Sequence, residues 1–166
     1  MKTNLENILN DGSKKILFVG VGNVLRRDDG IGVYITKRIK ETNWVQTLVV
    51  EVSLENYIKK IRDNKADLLI LVDCIYFNKK PGYADIVRVD DINEYTMYSH
   101  NLSLKSIAEF FTLDVFVLGI QPADLRVGEE MTSEVKTRGD EIVLLINDCI
   151  GNKMRLKRKE LSTMSE

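Results

Sequence analysis

The sequence predicts an α/β fold: one domain with a mostly parallel sheet covered by helices on both faces. Two observations carry this. Short apolar runs recur along the chain, KKILFVG (14–20), TLVVEVS (47–53), ADLLILVDCI (66–75) and DVFVLGI (114–120), and each reads as a strand. Between them lie stretches whose apolar residues recur three or four apart, as on one face of a helix. At 166 residues the chain is long enough to bury one core without staples.

Thr3 and Glu6 have the spacing of a capping box ahead of Leu5, Ile8 and Leu9, which predicts a short helix closing near Gly12. The first strand ends at glycine and is continuous enough to be buried on both faces. From Gly30 to about Glu41 the pattern turns helical, with Ile31, Ile35 and Ile39 four apart and Lys37, Arg38 and Lys40 toward the C-terminal end, where cations suit the dipole. The second strand leads into LENYIKKIRD (54–63), a helix with Leu54, Ile58 and Ile61 on one face. The third strand ends in acid, and only FNKKPG (77–82) separates it from YADIVRV (83–89). Six residues cannot hold a parallel crossover, so a fourth strand there runs antiparallel if it joins the sheet. A polar stretch (90–101), a helix from about Leu102 to Phe111, and the fifth strand follow. The loop QPADLRVGEEM (121–131) leads into an amphipathic helix from about Thr132 to Asp148. The domain is read as 1–166, with a helical extension at 1–14 and a polar, basic tail at 152–166.

Composition excludes several classes. A formal net charge of −1 gives no electrostatic reason to expect nucleic acid. No apolar run reaches the roughly 18 residues a membrane span needs, and the N-terminal residues lack the apolar core of a signal peptide, so a cytoplasmic location is expected. Cys74 and Cys149 lie far apart and form neither a zinc nor a redox motif. The run KMRLKRK (153–159), with five cations in seven residues, reads as a solvated helix end.

The stretch GVGNVLRRDDGIGV (20–33) carries the chemistry. Gly20 and Gly22 open like a dinucleotide-binding loop, but Leu25 holds the third glycine position. Asp28 and Asp29 would also repel a pyrophosphate at a helix N-terminus. One of these acids is accounted for as a cap on the following helix; two are more than a cap requires. Asp73 closes the buried run LLILVD, where a carboxylate costs several kcal/mol unless it is paired, hydrogen-bonded or bound to a metal. Cys74 beside it turns to the opposite face as a small buried hydrophobe. His100 is the sole histidine, so any mechanism needing imidazole must use it. Neither a nucleophile elbow nor a two-histidine zinc helix is present.

Taken in order, GVGNVLRRDDGIGV, LVDCI, SHNLSL and VLGIQPADLRVGEEMT resemble the maturation endopeptidases of nickel–iron hydrogenases, which trim the C-terminus of the hydrogenase large subunit after its metal centre is assembled. The resemblance spans about residues 15 to 150. It implies a three-layer α/β/α fold with sheet order 2-1-3-5-4 and strand 4 antiparallel. It implies that Asp29, Asp73 and His100 form a catalytic and metal-binding set, with Asn23 and Asp28 shaping the loop. The metal it implies is nickel carried by the substrate, and the partner a large-subunit precursor. Because the pattern shows no exposed apolar stripe, a monomer forming a transient complex is expected. In the implied order strands 1 and 3 are neighbours whose chain leaves toward opposite faces, so Asp29 and Asp73 would meet at the switch point. One departure stands out. After the second strand the family tends to carry a glycine-rich turn, whereas this chain has Glu51-Val52-Ser53-Leu54. That leaves two alternatives open: a module that binds a precursor without cutting it, or a peptidase of similar fold, such as the spore germination type, acting on another protein.

Overall fold

A computed structural model of the chain describes residues 1–11, 14–94 and 100–163. Ten main elements follow one another: α1 (Lys2–Asn10), β1 (Ile16–Val21), α2 (Ile31–Thr36), β2 (Val45–Glu51), α3 (Ile58–Asp63), β3 (Leu68–Cys74), β4 (Ala84–Arg88), α4 (His100–Ala108), β5 (Asp114–Ile120) and α5 (Ser133–Thr163). Single 3-10 turns at Arg27–Gly30, Leu54–Tyr57 and Val89–Glu94 lead into or out of them.

The sheet order is β2-β1-β3-β5-β4. β1 pairs in parallel with β2 and β3, and β3 in parallel with β5. β4 is antiparallel to β5, because the link from β3 to β4, residues 75–83, is too short for a parallel crossover. Alternation along the central strands divides the core in two. Phe18, Ile70, Val72 and Leu118 face α1, α2 and α5 through Leu5, Ile31, Ile35, Ile142 and Ile146. Val19, Leu69, Leu71 and Val117 face the other way, onto Leu54, Ile61, Leu104 and Ile107. Both faces of β1 and β3 are therefore covered, and their near-continuous apolar runs follow from that.

Gly32 sets how α2 meets the sheet. A Cβ there would stand 2.1 Å from the carbonyl oxygen of Val72 and 2.2 Å from that of Val21. The helix backbone therefore lies directly on the C-terminal ends of β1 and β3.

Three elements differ from the sequence expectation. α1 starts at Lys2 with Met1 at its N-cap, and among the described residues it has no side-chain capping bond, so Thr3 and Glu6 do not form a capping box. Burial decides its register: Leu5 and Leu9 are fully enclosed. α2 stops at Thr36 rather than near Glu41 because its last turn tightens. Arg38 N–H donates to Ile35 O, Ile39 N–H to Thr36 O, and Lys40 N–H to the Asn147 side chain of α5. α5 continues 15 residues past Asp148, to Thr163. Its buried Lys153 donates to the carbonyl oxygens of Leu9 (3.3 Å) and Asp11 (3.1 Å) and lies 3.7 Å from the Trp44 ring centroid. The basic segment thus begins as an anchored helix, with its apolar stem and its charge both used.

Candidate active site

The site is built on the C-terminal ends of β1 and β3. β1 ends at Val21, and Gly22 N–H donates to Glu51 O at the end of β2 (2.9 Å). The chain then folds back through a compact turn. Asn23 Oδ1 accepts Leu25 N–H at 2.9 Å, Arg26 O accepts Asp29 N–H at 3.0 Å, and Asp29 Oδ2 accepts Asn23 N–H at 3.0 Å. Neither acid of the pair caps α2, whose N-cap is Gly30. The cap reading is corrected on this point, because the 3-10 turn inserted at Arg27–Gly30 carries both carboxylates away from the helix start.

The two acids have different surroundings. Asp28 is 0% exposed, and its carboxylate is met by the loop before α5. It accepts the N–H groups of Ala123 (2.8 Å), Asp124 (2.9 Å) and Thr132 (2.7 Å), and the Thr132 hydroxyl. Asp29 is half-buried and turns toward β3, where its charge acts on Asp73.

Asp73 is 6% exposed, on the face of β3 shared with Leu69 and Leu71. Burial pushes its carboxyl from an ordinary 3.8 up to about 7. The Cys74 N–H, donating to Oδ1 at 2.7 Å, works against that rise, and the neighbouring Asp29 adds to it. Cys74 packs with the opposite face, as alternation predicts. Burial pushes its thiol far up, and Asp73, Asp29 and Asp28 push the same way, so it stays protonated and is no nucleophile.

The structure thus brings together two of the three residues singled out from the sequence. His100 is the first residue of α4, which packs on the same sheet face as Asp73; its side chain lies outside the described residues. Among the described residues no group of three or more His, Cys, Asp or Glu is arranged to hold a metal ion. Two carboxylate oxygens and one imidazole nitrogen do suit a divalent ion with open positions.

Sequence reasoning missed how tightly the surrounding loops are bound to one another. Arg27 N–H donates to Gly128 O at 2.7 Å, and Gly128 N–H to Leu25 O at 2.9 Å. Arg26 Nε reaches Leu125 O, and the side chain and N–H of Arg126, with the charge of Arg27 adding to them, hold the Asp124 carboxyl well below the usual range. Gln121 accepts the N–H groups of Phe77 and Lys79, tying in the loop after β3. The only signal for this was the element GIQPADLRVGEEMT, which shows a loop but not what the loop binds.

The same edge is apolar. Of the large apolar side chains exposed among the described residues, Val24, Leu25, Val52, Tyr76, Leu125 and Val127 all lie on loops leaving β1, β2, β3 and β5. Val127 is 85% exposed. Contiguous exposed apolar residues are characteristic of surfaces that meet another macromolecule.

Glu51, where the expected glycine is missing, has φ +52, a left-handed conformation. Its side chain is exposed, and it is the backbone carbonyl that holds Gly22.

Known proteins agree with this architecture. The family model of HycI, the hydrogenase maturation protease, matches residues 37–149, which include Asp73 and His100 and begin just after Asp29. A protein of Methanocaldococcus jannaschii named as a hydrogenase maturation protease is 27% identical over 144 residues, covering 78% of this chain and 85% of its own. The crystal structure of the [NiFe] hydrogenase maturation protease HycI from Thermococcus kodakarensis superposes with a TM-score of 0.76 at 27% identity, covering 89% of this chain and 99% of that one. The solution structure of the endopeptidase HycI from Escherichia coli gives 0.67 at 26% identity, over 84% and 93% of the two chains. The match extends over more than half of the chain, and the three-layer fold with order 2-1-3-5-4 is shared with these structures. The chain is a member of the hydrogenase maturation protease family, a family of endopeptidases.

Proposed function

We propose that this endopeptidase removes a C-terminal extension from a nickel–iron hydrogenase large-subunit precursor after nickel has been inserted, and that Asp29, Asp73 and His100 meet the substrate-borne nickel. The observation that carries the reading is the approach of Asp29 to Asp73 at the switch point of the sheet. The charge of Asp29 adds to the cost of ionising the nearly buried Asp73, and a cation between the two would offset that cost. Because Asp73 is held at about 7, cation binding releases its proton within the working pH range. The exposed apolar rim supports a protein substrate over a small one.

A divalent ion held by these groups would supply a polarised carbonyl or an activated water for peptide hydrolysis. What the chain itself contributes is orientation. The turn at 23–29 fixes one carboxylate, the end of β3 fixes the other, and α4 begins at the histidine. The same reading has the protein working in the cytoplasm as a monomer, in a transient complex with its precursor.

The test is cleavage read by intact mass. The purified protein is incubated with nickel-loaded precursor, and with nickel-free precursor as control. Loss of a defined C-terminal peptide only from the loaded form, abolished in folded Asp29→Asn, Asp73→Asn and His100→Ala variants, is expected. Normal cleavage by any of these three variants would remove that residue from the set.

A further inference from the structure

We propose that Asp28 is a positioning residue for Asp29, acting through the loop that enters α5. The inference rests on the site reading above and adds to it a residue that touches neither substrate nor metal.

Asp28 is wholly enclosed, yet its charge is not met by a cation. Among the described residues it makes no salt bridge, and Arg27 and Arg126 in the two loops pair with Asp124. Its carboxylate is held instead by three backbone N–H groups and one hydroxyl, all from residues 123–132. Thr132 immediately precedes α5, a 31-residue helix, so the carboxylate also lies near the positive end of a long dipole. Backbone donors cannot rotate away as a lysine can, so they hold the carboxylate to a single position.

Asp29 has little else to hold it. Its side chain accepts one hydrogen bond through Oδ2, from Asn23 N–H, and among the described residues Oδ1 has no donor. Where its oxygens stand therefore depends on where the backbone of the turn stands. That backbone is fastened to 123–132 by Asp28 N–H to Asp124 O (3.2 Å), by the Arg27–Gly128 and Gly128–Leu25 bonds, and above all by the Asp28 carboxylate. The anchor and the reacting group are adjacent residues, so a shift of one is passed directly to the other. Partners that orient metal-contacting groups affect metal affinity or activity by about 10–100-fold.

The decisive variants are Thr132→Val and Thr132→Ser. Valine removes the hydroxyl donor and keeps the backbone N–H, whereas serine keeps both. Asp28→Asn is the stronger change, because an amide NH₂ in place of one oxygen would face donors. Each variant is checked for folding by thermal unfolding, then measured for binding to nickel-loaded and nickel-free precursor and for cleavage at saturating precursor. Thr132→Val is expected to lose about tenfold of the preference for loaded precursor and about tenfold in kcat, with binding of nickel-free precursor unchanged and Thr132→Ser near wild type. General destabilisation would not move that preference. Folded Thr132→Val and Asp28→Asn proteins with wild-type preference and kcat, beside an inactive Asp29→Asn, would overturn the positioning role and leave the site reading standing. Full activity of Asp29→Asn would overturn the positioning role and remove Asp29 from the proposed set.

Discussion

Gly22 and Asp29 are in backbone contact: a Cβ on Gly22 would stand 1.8 Å from the carbonyl oxygen of Asp29. Gly22 also has φ +127, which side-chain-bearing residues rarely adopt. The turn that presents Asp29 is therefore closed onto the end of β1, and the second glycine of GVGNVLRRDDG is required by this approach rather than by a phosphate. Gly22→Ala is expected to cost at least about 2 kcal/mol in urea unfolding and to slow cleavage strongly even in the folded fraction. Wild-type stability in this variant would mean that the turn can move away without consequence.

Asp73 makes stability depend on pH in an unusual direction for a carboxylate. Its pKa in the folded chain is about 7, against 3.8 ordinarily, so between those values the folded state holds a proton that the unfolded state has lost. Stability is then greatest below pH 4 as far as this group is concerned, and it falls as pH rises toward 7. The size is of order 4 kcal/mol across that interval at most, from the usual free energy per pKa unit. Asp73→Asn cannot ionise and should flatten that slope. Denaturant unfolding of the metal-free protein at pH 5 and pH 7.5, wild type against variant, measures it. A wild-type slope unchanged by the substitution would assign the pH dependence to other groups.

The sheet was legible because its strands are buried on both faces, and continuous apolar runs such as ILFVGV and LLILVD have few alternatives. The antiparallel placement of β4 followed from chain length alone. Asp73 was legible for the same reason, an acid ending an apolar run. Helix ends were less so. The tightened turn that ends α2 is followed by Lys40, whose N–H goes to Asn147 of α5, and α5 runs on because Lys153 finds partners at α1; both bonds reach residues about a hundred or more positions away. The partners of Asp28 were hidden in the same way. Its partners are 95 to 104 residues distant and mostly backbone N–H groups, which have no sequence signature.

Lys153 should hold α1 in place. Its buried ammonium bonds two carbonyl oxygens at the end of α1 and lies against Trp44, so Lys153→Met keeps the stem but removes both donors. A loss of about 2 kcal/mol is expected. Amides 5–10 should lose exchange protection before those of β1 and β3, because α1 is an outer element and the central strands are not. Uniform loss of protection would show that α1 unfolds together with the sheet.

Glu51 tests whether the missing glycine matters. In the left-handed region a non-glycine residue costs roughly 1–2 kcal/mol, and glycine recovers this less about 0.5–1 kcal/mol of its own chain entropy. Glu51 is exposed and leaves no cavity, so Glu51→Gly should raise Tm by about 1–3 °C. The bond that this position makes to the site comes from its carbonyl oxygen, which any residue supplies to Gly22 N–H. Cleavage of the precursor should therefore stay within about threefold of wild type, equivalent to well under 1 kcal/mol in the barrier. A rise of tenfold or more would show that the carboxylate at 51 obstructs the precursor used, and that this chain serves a different one, whose docking segment accommodates an acid beside the exposed Val52.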